Sequence, residues 1–397
     1  MEKNIYLVGG AVRDQLMGIP QKDKDYVAVG YTPSDFSHLK TIGKDFPIYI
    51  LEDGSELALA RTKRNEDEHA SLHVSIEEDL MRRGLTINSI AYDTKSLSYI
   101  DPYHGMHDIK NKCLRHTSLA FSEDPIRVLR VARFRAQFGQ AWTIHPSTKV
   151  LIFSMGETLK ALKPERVWKE VEKALELKHT ELFFETLFEL GVLDVIFPSL
   201  YALTTLKEGT PYHKESSVFV HTMMVLKHLE EASALLKLTA LYHDIAKPYT
   251  YRQFGNGSNH EDRKLVQPLI DMPLPIKLKE KMLFLIDKHL KVSLFHEMKP
   301  SKIATFFEQF RKKRGLLLDL LTLIEADNEG RINDIPKKPI DHDLIMEVFD
   351  AIASYSPKEW IDQQNNPVTG EMIAQHMHLH AIGVVKQYYK QETGDEK

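Results

Sequence analysis

Short apolar runs set the rhythm of the first quarter of the chain. Ile5–Val8, Tyr26–Val29, PIYIL at 47–51, ELALA at 56–60 and SLSYID at 96–101 are separated by glycine, proline or charged residues. Runs of that length, rich in β-branched and aromatic residues, predict strands. The more polar text between them predicts helices and turns, so residues 1–110 read as a small α/β domain. From about 120 the period changes. FSEDPIRVLRVARFRAQF at 121–138 and ELFFETLFELGVLDVIF at 181–197 place apolar residues three and four apart, which predicts helices. Ser122, followed by Glu123, Asp124 and Pro125, predicts one helix start and Pro164 another. Gly191 predicts a helix stop. Tyr201–Ser217, with Gly209 and Pro211, reads as a linker. A second helical block runs from about 218 to 390, and the polar tail QETGDEK is expected to fray. No fixed-period repeat or low-complexity tract interrupts this order. The expected division is therefore 1–110, 111–200, 218–345 and 346–397.

Composition narrows the setting. The 397 residues are 43% hydrophobic and 27% charged, with a net charge of −4. That is ample for packed cores, but any nucleic-acid footprint must be local. Cys113 is the single cysteine, which excludes an intrachain disulfide and fits a reducing compartment. No window approaches the roughly 20 apolar residues of a membrane span, and MEKNIYLVGG has no signal-peptide pattern. The expectation is a cytoplasmic protein without a membrane partner.

Three clusters carry chemistry. In LVGGAVRD at 7–14, Gly9 and Gly10 follow a strand and open a helix, so backbone N–H groups can approach phosphates closely. In DKDYVAVG at 23–30, Asp23 and Asp25 flank Lys24. Carboxylates at i and i+2 of a strand face one way, and a cation between them removes their repulsion. Glycines beside paired aspartates point to metal-assisted handling of a nucleoside triphosphate. In EDPIRVLRVARF, Arg127, Arg130 and Arg133 recur every third residue and share an arc of roughly 120° on a helix. Asp124 lies one turn before Arg127, and Val128, Leu129, Val131, Ala132 and Phe134 supply the buried side. The third cluster is imidazole-rich: His221, His243-Asp244, His260, His289 and Asp327. Neutral imidazole and carboxylate suit first-row metals.

LVGGAVRD followed by DKDYVAVG resembles the bacterial class II tRNA nucleotidyltransferases, the CCA-adding enzymes of the DNA polymerase β nucleotidyltransferase superfamily. EDPIRVLRVARF resembles their EDxxRxxR helix, and MRRGLTINSIAYD their RRDxTxNA motif. SVFVHTMMVLKHL and LTALYHDIAKP resemble the opening of an HD domain, as in the HD-containing CCA enzymes of Gram-negative bacteria. The resemblance covers essentially the whole chain. It implies an α+β fold: a small polymerase-β-like head at 1–110, an all-helical neck and body, a helical HD domain at 218–345 and a helical tail. It implies that Asp23 and Asp25 hold Mg2+, with Glu56 of ELALART as a third carboxylate. Gly10, Arg13 and Arg83 would meet the nucleotide. Asp124 and Arg127 would read the base edges of CTP and ATP, with Arg130 and Arg133 supporting the triphosphate. His221, His243, Asp244, His289 and Asp327, with His260 as a further candidate, would bind a divalent transition metal for phosphoester hydrolysis. The implied partners are the tRNA 3′ end, CTP and ATP; monomer and homodimer both stay open.

The sequence departs from the family pattern at three places. Gly84 stands where the family usually has Asp. Between Arg61 and Arg82 the chain has the short acidic stretch NEDEHASLHVSIEED in place of a longer loop with Gly and Tyr. Leu290 follows His289 where related enzymes can have a second His-Asp pair. In the family, loss of the loop goes with enzymes that add CC only. A CC-only adder, a poly(A) polymerase and an HD phosphohydrolase with a degenerate head are the rival readings.

Overall fold

The computed structural model describes residues 2–21, 23–43, 47–62, 70–211, 213–292, 294–333 and 340–392. Residues 63–69 of the short acidic stretch, and 393–397 of the tail expected to fray, lie outside the described residues. The chain divides into two compact units, Met1–Ile196 and Phe197–Lys397.

The first unit is built on a sheet of seven strands: β1 (Asn4–Val8), β2 (Asp25–Val29), β3 (Lys40–Ile42), β4 (Ile48–Ile50), β5 (Glu56–Leu59), β6 (Ala91–Asp93) and β7 (Ser98–Ile100). Their spatial order is β3-β4-β5-β2-β1-β6-β7. β2 and β5 run parallel, and the other neighbours are antiparallel. The five apolar runs appear as β1, β2, β4, β5 and β7. β3 and β6 escaped the pattern: β3 is exposed along its whole length, and β6 ends on the charged Asp93. Alternation along the central strands fills both faces. Val8, Val27 and Val29 pack with Ala60, Ile76 and Leu80 on one side. Leu7 packs with Ala11, Val12 and Ile90 on the other, where Ala28 packs with Phe36, Tyr49 and Leu57. Burial on both faces is why these strands read as unbroken apolar runs.

Helices complete the unit. α1 (Gly10–Met17) follows β1 after one residue. The arginine helix, Ile126–Phe138, buries Val128, Leu129, Val131 and Ala132 and packs against the helices Pro164–Leu175 and Thr180–Glu189. Pro164 is a first helical residue, as expected. Gly191, at φ +67°, ends the run after Glu189, and the Val192 N–H donates to the Leu187 carbonyl at 3.1 Å. The arginine helix starts later than expected. Ser122 falls in a 3-10 turn over Leu119–Glu123, and Asp124 is extended at φ −133°. Proline disfavours helical geometry in the residue before it, so Asp124 lies ahead of the helix rather than in its first turn.

A buried polar knot stiffens the sheet-to-helix junction. Asp108 accepts from the Thr86 hydroxyl at 2.7 Å and from Arg115 at 3.1 Å. Asp101 accepts from the N–H groups of Gly105 and Met106 at 2.6 and 2.8 Å. Sequence reading assigned these residues nothing.

The second unit is helical. Its core gathers Phe306, Phe307, Phe310, Leu320, Leu321 and Phe349, closed by Ala381 and Val385 of the terminal helix Gly370–Glu392. Tyr201–Ser217 is not the linker expected. Pro198–Thr204 is a helix, the Val218 N–H donates to Leu206 at 2.9 Å, and buried Glu215 accepts from the Ile332 N–H at 2.6 Å. Gly and Pro mark turns, but they do not say whether a turn is packed. Among the described residues no helix is long and apolar enough to cross a membrane.

A Cβ on Gly105 would lie 2.2 Å from the Thr86 carbonyl oxygen and 2.7 Å from Ile90. Gly105→Ala is therefore expected to destabilise the first unit by about 2–3 kcal/mol, read as a lower urea midpoint from the fluorescence of Trp142 and Trp168.

Candidate functional site

Strand register assembles the site. Val8, the last residue of β1, pairs with Asp25, and Asp25 pairs with Glu56 across the parallel β2–β5 ladder. The two acids therefore stand side by side at one end of the sheet. Asp23 precedes β2 instead of sharing it; even so, Asp23, Asp25, Asp53 and Glu56 line a single cleft with Lys24. Burial raises the pKa of Asp25 and the like charge of Asp23 adds to it, while Arg83 pulls the other way. Among the described residues, four carboxylates against one lysine leave a site whose donor set, all hard oxygen, suits a divalent cation.

Gly9 makes the close approach. It sits at φ +71°, and a Cβ there would lie 3.0 Å from Arg83 Nη1 and 3.8 Å from Asp25 Oδ2. Gly10, the expected contact, opens α1, whose first N–H groups have no partner within the helix. Those N–H groups and the positive end of the dipole favour an anion. Arg13 is buried and locked: Nη1 donates to Asn88 at 2.7 Å, Nε donates to Asp14 at 2.8 Å, and the guanidinium lies over Phe134 and Phe138.

A cavity of about 540 Å³ joins these residues to the arginine helix. Among the described residues seven arginines line it, including Arg13, Arg83, Arg127, Arg130 and Arg133, together with Asp124. Asp25 lines both this cavity and the acidic cleft. The arginines are oriented by partners that sequence reading missed. Arg83 donates to Asp79 at 3.1 and 3.2 Å. Arg127 donates to the carbonyls of Ala120 at 2.6 Å and Arg82 at 2.9 Å. Glu170 accepts from Arg130 at 3.3 Å and Arg133 at 2.7 Å. A Cβ at Gly84 would rest 3.5 Å from the Arg127 side chain, an ordinary van der Waals contact.

The second unit gathers the other cluster. His221 Nε2 lies 3.0 Å from Asp327, and His243 Nε2 lies 3.3 Å from Asp244. His260 Nε2 lies 3.0 Å from Asp244 and 3.3 Å from His289 Nε2. The Nδ1 atoms of all four histidines face backbone carbonyls: Gly330, Ala240, Gly257 and Ile286 at 3.1, 2.7, 2.6 and 2.7 Å. These contacts orient the rings and turn each Nε2 inward, the arrangement that metal-ligating histidines use. His221, His243 and Asp244 form one metal-sized group; Asp244, His260 and His289 form another. His243 Nε2 is buried yet makes no well-directed hydrogen bond. Burial works against its protonation, but Asp244 and Asp327 prevail and raise its pKa to about 10. His289 goes the other way, to about 3, through burial and the charge of His260 and His243. A buried set of imidazole and carboxylate donors of this kind fits a transition-metal cation. Lys247 bridges Asp244 at 2.9 Å and Glu208 at 2.8 Å, and Arg331 pairs with Asp327. Glu208, Glu215, Lys247 and Arg331 were not singled out from the sequence, although Lys247 stands three residues after Asp244 in HDIAKP.

Comparison with known proteins gives the family and the fold. Residues 5–115 match the family model of the poly A polymerase head domain. Residues 142–203 match the model of a probable RNA- and SrmB-binding site of polymerase A. The chain is 38% identical to the multifunctional CCA protein of Mannheimia succiniciproducens over 82% of this chain and 84% of that protein. It is 39% identical to the multifunctional CCA protein of Aliivibrio salmonicida over 84% and 88%. A Thermotoga maritima CCA-adding enzyme solved with tRNA aligns at TM-score 0.60 and 18% identity over 98% of this chain and 91% of that one. A Bacillus stearothermophilus CCA-adding enzyme solved with CTP aligns at TM-score 0.63 and 21% identity over 97% and 89%. The shared architecture is a polymerase-β-like head followed by a helical body.

The raised pKa of Asp25 has a consequence for stability. The unfolded chain ionises more readily at this position, so the charged form opposes folding above the unfolded value near 4. Asp25→Asn is expected to raise the melting temperature by roughly 1–3 °C at pH 7. That gain should shrink as the pH falls toward 4, measured by calorimetry.

Proposed function

This chain belongs to the family of multifunctional CCA proteins, the CCA-adding tRNA nucleotidyltransferases, and on that premise we propose that it extends the 3′ end of tRNA with CTP and ATP at the Asp25 cleft. The observation that carries this reading is Asp25 itself, shared between a carboxylate cleft and an arginine-lined cavity. The fold implies divalent-metal use; we assign Mg2+ to Asp23, Asp25 and Glu56. Bound there, the cation would neutralise phosphate charge and ready the tRNA 3′ hydroxyl for attack on the α-phosphate, with pyrophosphate leaving.

The remaining work falls to the protein. Gly9 and the start of α1 receive the triphosphate, and Arg13, Arg130 and Arg133 face its charge. Arg83 stands beside Asp25 and balances the acids. Asp124 accepts from the exocyclic amino group shared by cytosine and adenine, and Arg127 donates to the adjacent ring nitrogen. No nucleic-acid template is needed. Arginine suits this role because its planar fork presents paired donors. The RNA is held by shape and backbone contacts.

The second unit supports a further reading, a metal-dependent phosphohydrolase. The inward-facing Nε2 atoms and the hydrogen-bond-deficient His243 favour it. His221, His243, Asp244 and Asp327, with His260 and His289, would hold a divalent transition metal. Leu290 contributes no ligand.

The deciding assay supplies tRNAs ending before C, after C and after C–C, with CTP and ATP separately and together. Full CCA synthesis is expected. Arrest after C–C would identify a CC-only enzyme, and open-ended tailing with ATP alone would contradict the reading. Asp23→Ala and Asp25→Ala should each lower incorporation by about a thousandfold or more, while His243→Ala should leave it intact.

Metal loading tests the second unit. Ni2+ or Mn2+ added to metal-free protein should raise the melting temperature of that unit by mass action. The rise should persist in Asp23→Ala and vanish in His243→Ala; no rise in the unaltered chain would remove the phosphohydrolase reading.

A further inference from the structure

The residues that would read the base are themselves held by a second helix. Asp124 lies outside the arginine helix, in the extended residue before Pro125. Helical geometry therefore does not orient its carboxylate. Its Oδ2 accepts from Arg166 Nη2 at 2.8 Å, whereas Oδ1 meets the Ile126 N–H only at 3.4 Å. Arg166 belongs to the helix Pro164–Leu175 and does not line the cavity; Glu170 and Lys173 of the same helix do. Residues 166, 170 and 173 share one face at i, i+4 and i+7. That face forms a rail beneath the reading helix: Arg166 holds Asp124, and Glu170 holds Arg130 and Arg133.

We propose that Arg166 is a positioning residue for base selection. It engages one oxygen of Asp124 so that the other presents a fixed acceptor to the incoming base. This rests on the reading of Asp124 as a base-reading group. The chemistry follows from the donor and acceptor pattern of the bases. Cytosine and adenine carry an amino donor where uracil and guanine carry a keto oxygen. An ionised carboxylate can only accept, so a fixed Asp124 oxygen attracts the amino bases and repels the keto ones. A carboxylate free to rotate could turn its charge away and admit either. Arg127 is already fixed, since it spends two of its donors on the carbonyls of Ala120 and Arg82. Asp124 is held by Arg166 in the same way, through a side chain of the neighbouring helix. The Arg166 side chain is 38% exposed, and ion pairs so open to water contribute little to stability. Its effect should therefore appear in selectivity more than in melting temperature.

The test measures kcat/KM for CTP and for UTP on one tRNA transcript with the unaltered enzyme, Arg166→Ala, Arg166→Lys and Asp124→Ala. Arg166→Ala should cut the preference for CTP over UTP about tenfold, chiefly through the KM for CTP, with a nearly unchanged melting temperature. Arg166→Lys, which keeps the charge, should restore much of the preference. If Arg166→Ala slows both nucleotides equally, or leaves the preference intact while Asp124→Ala abolishes it, the positioning role is wrong and the base-reading assignment stands. If Asp124→Ala also leaves the preference intact, both fall. Should Arg166→Ala fail to fold, Arg166→Gln gives the same readout.

Discussion

Negative charge gathered at one end of a three-strand ladder organises the first unit. β1 delivers Gly9, β2 delivers Asp25 and β5 delivers Glu56, and the Val8–Asp25–Glu56 register places them together. A protein does not gather carboxylates at a partly desolvated position for stability. The raised pKa of Asp25 is the signature of that cost. The acids become sensible when a divalent cation and a polyphosphate complete them, with the arginine-lined cavity alongside.

The arginines pose the opposite problem, and the chain solves it with paired acids and carbonyls. Asp79, Glu170 and the carbonyls of Ala120 and Arg82 each take a fraction of the donors. The guanidinium groups are thereby fixed in plane without being neutralised outright. Preorganised charge of this kind needs no reorganisation when a substrate arrives. The histidine cluster follows the same logic in reverse, with backbone carbonyls orienting the rings so that the inward nitrogens face Asp244, Asp327 and one another.

Much of this was legible in the sequence where residue type and spacing carry the physics. The five apolar runs, the Gly9-Gly10 turn, the three-residue arginine period and the His243-Asp244 pair all lie where the pattern places them in the fold, whereas Asp23 stands before the strand it was expected to share with Asp25. What escaped depends on distant partners. Glu170 is an ordinary helical glutamate until Arg130 and Arg133 are folded against it, and Glu215 looks like part of a linker until Ile332 covers it. Asp124 was misplaced by one structural state because the influence of Pro125 on its predecessor was outweighed by an attractive helix pattern. The closeness of Gly9 to Arg83 and Asp25 also escaped, since it needs a φ angle and a neighbour's distance.

The most direct test of the central claim is a crystal structure of the protein with CTP and Mg2+. The account predicts Mg2+ at about 2.1 Å from oxygens of Asp23 and Asp25, the triphosphate against Gly9 and the start of α1, and the cytosine amino group on Asp124. A triphosphate bound away from the Asp25 cleft, or a cytosine that touches neither Asp124 nor Arg127, would contradict it.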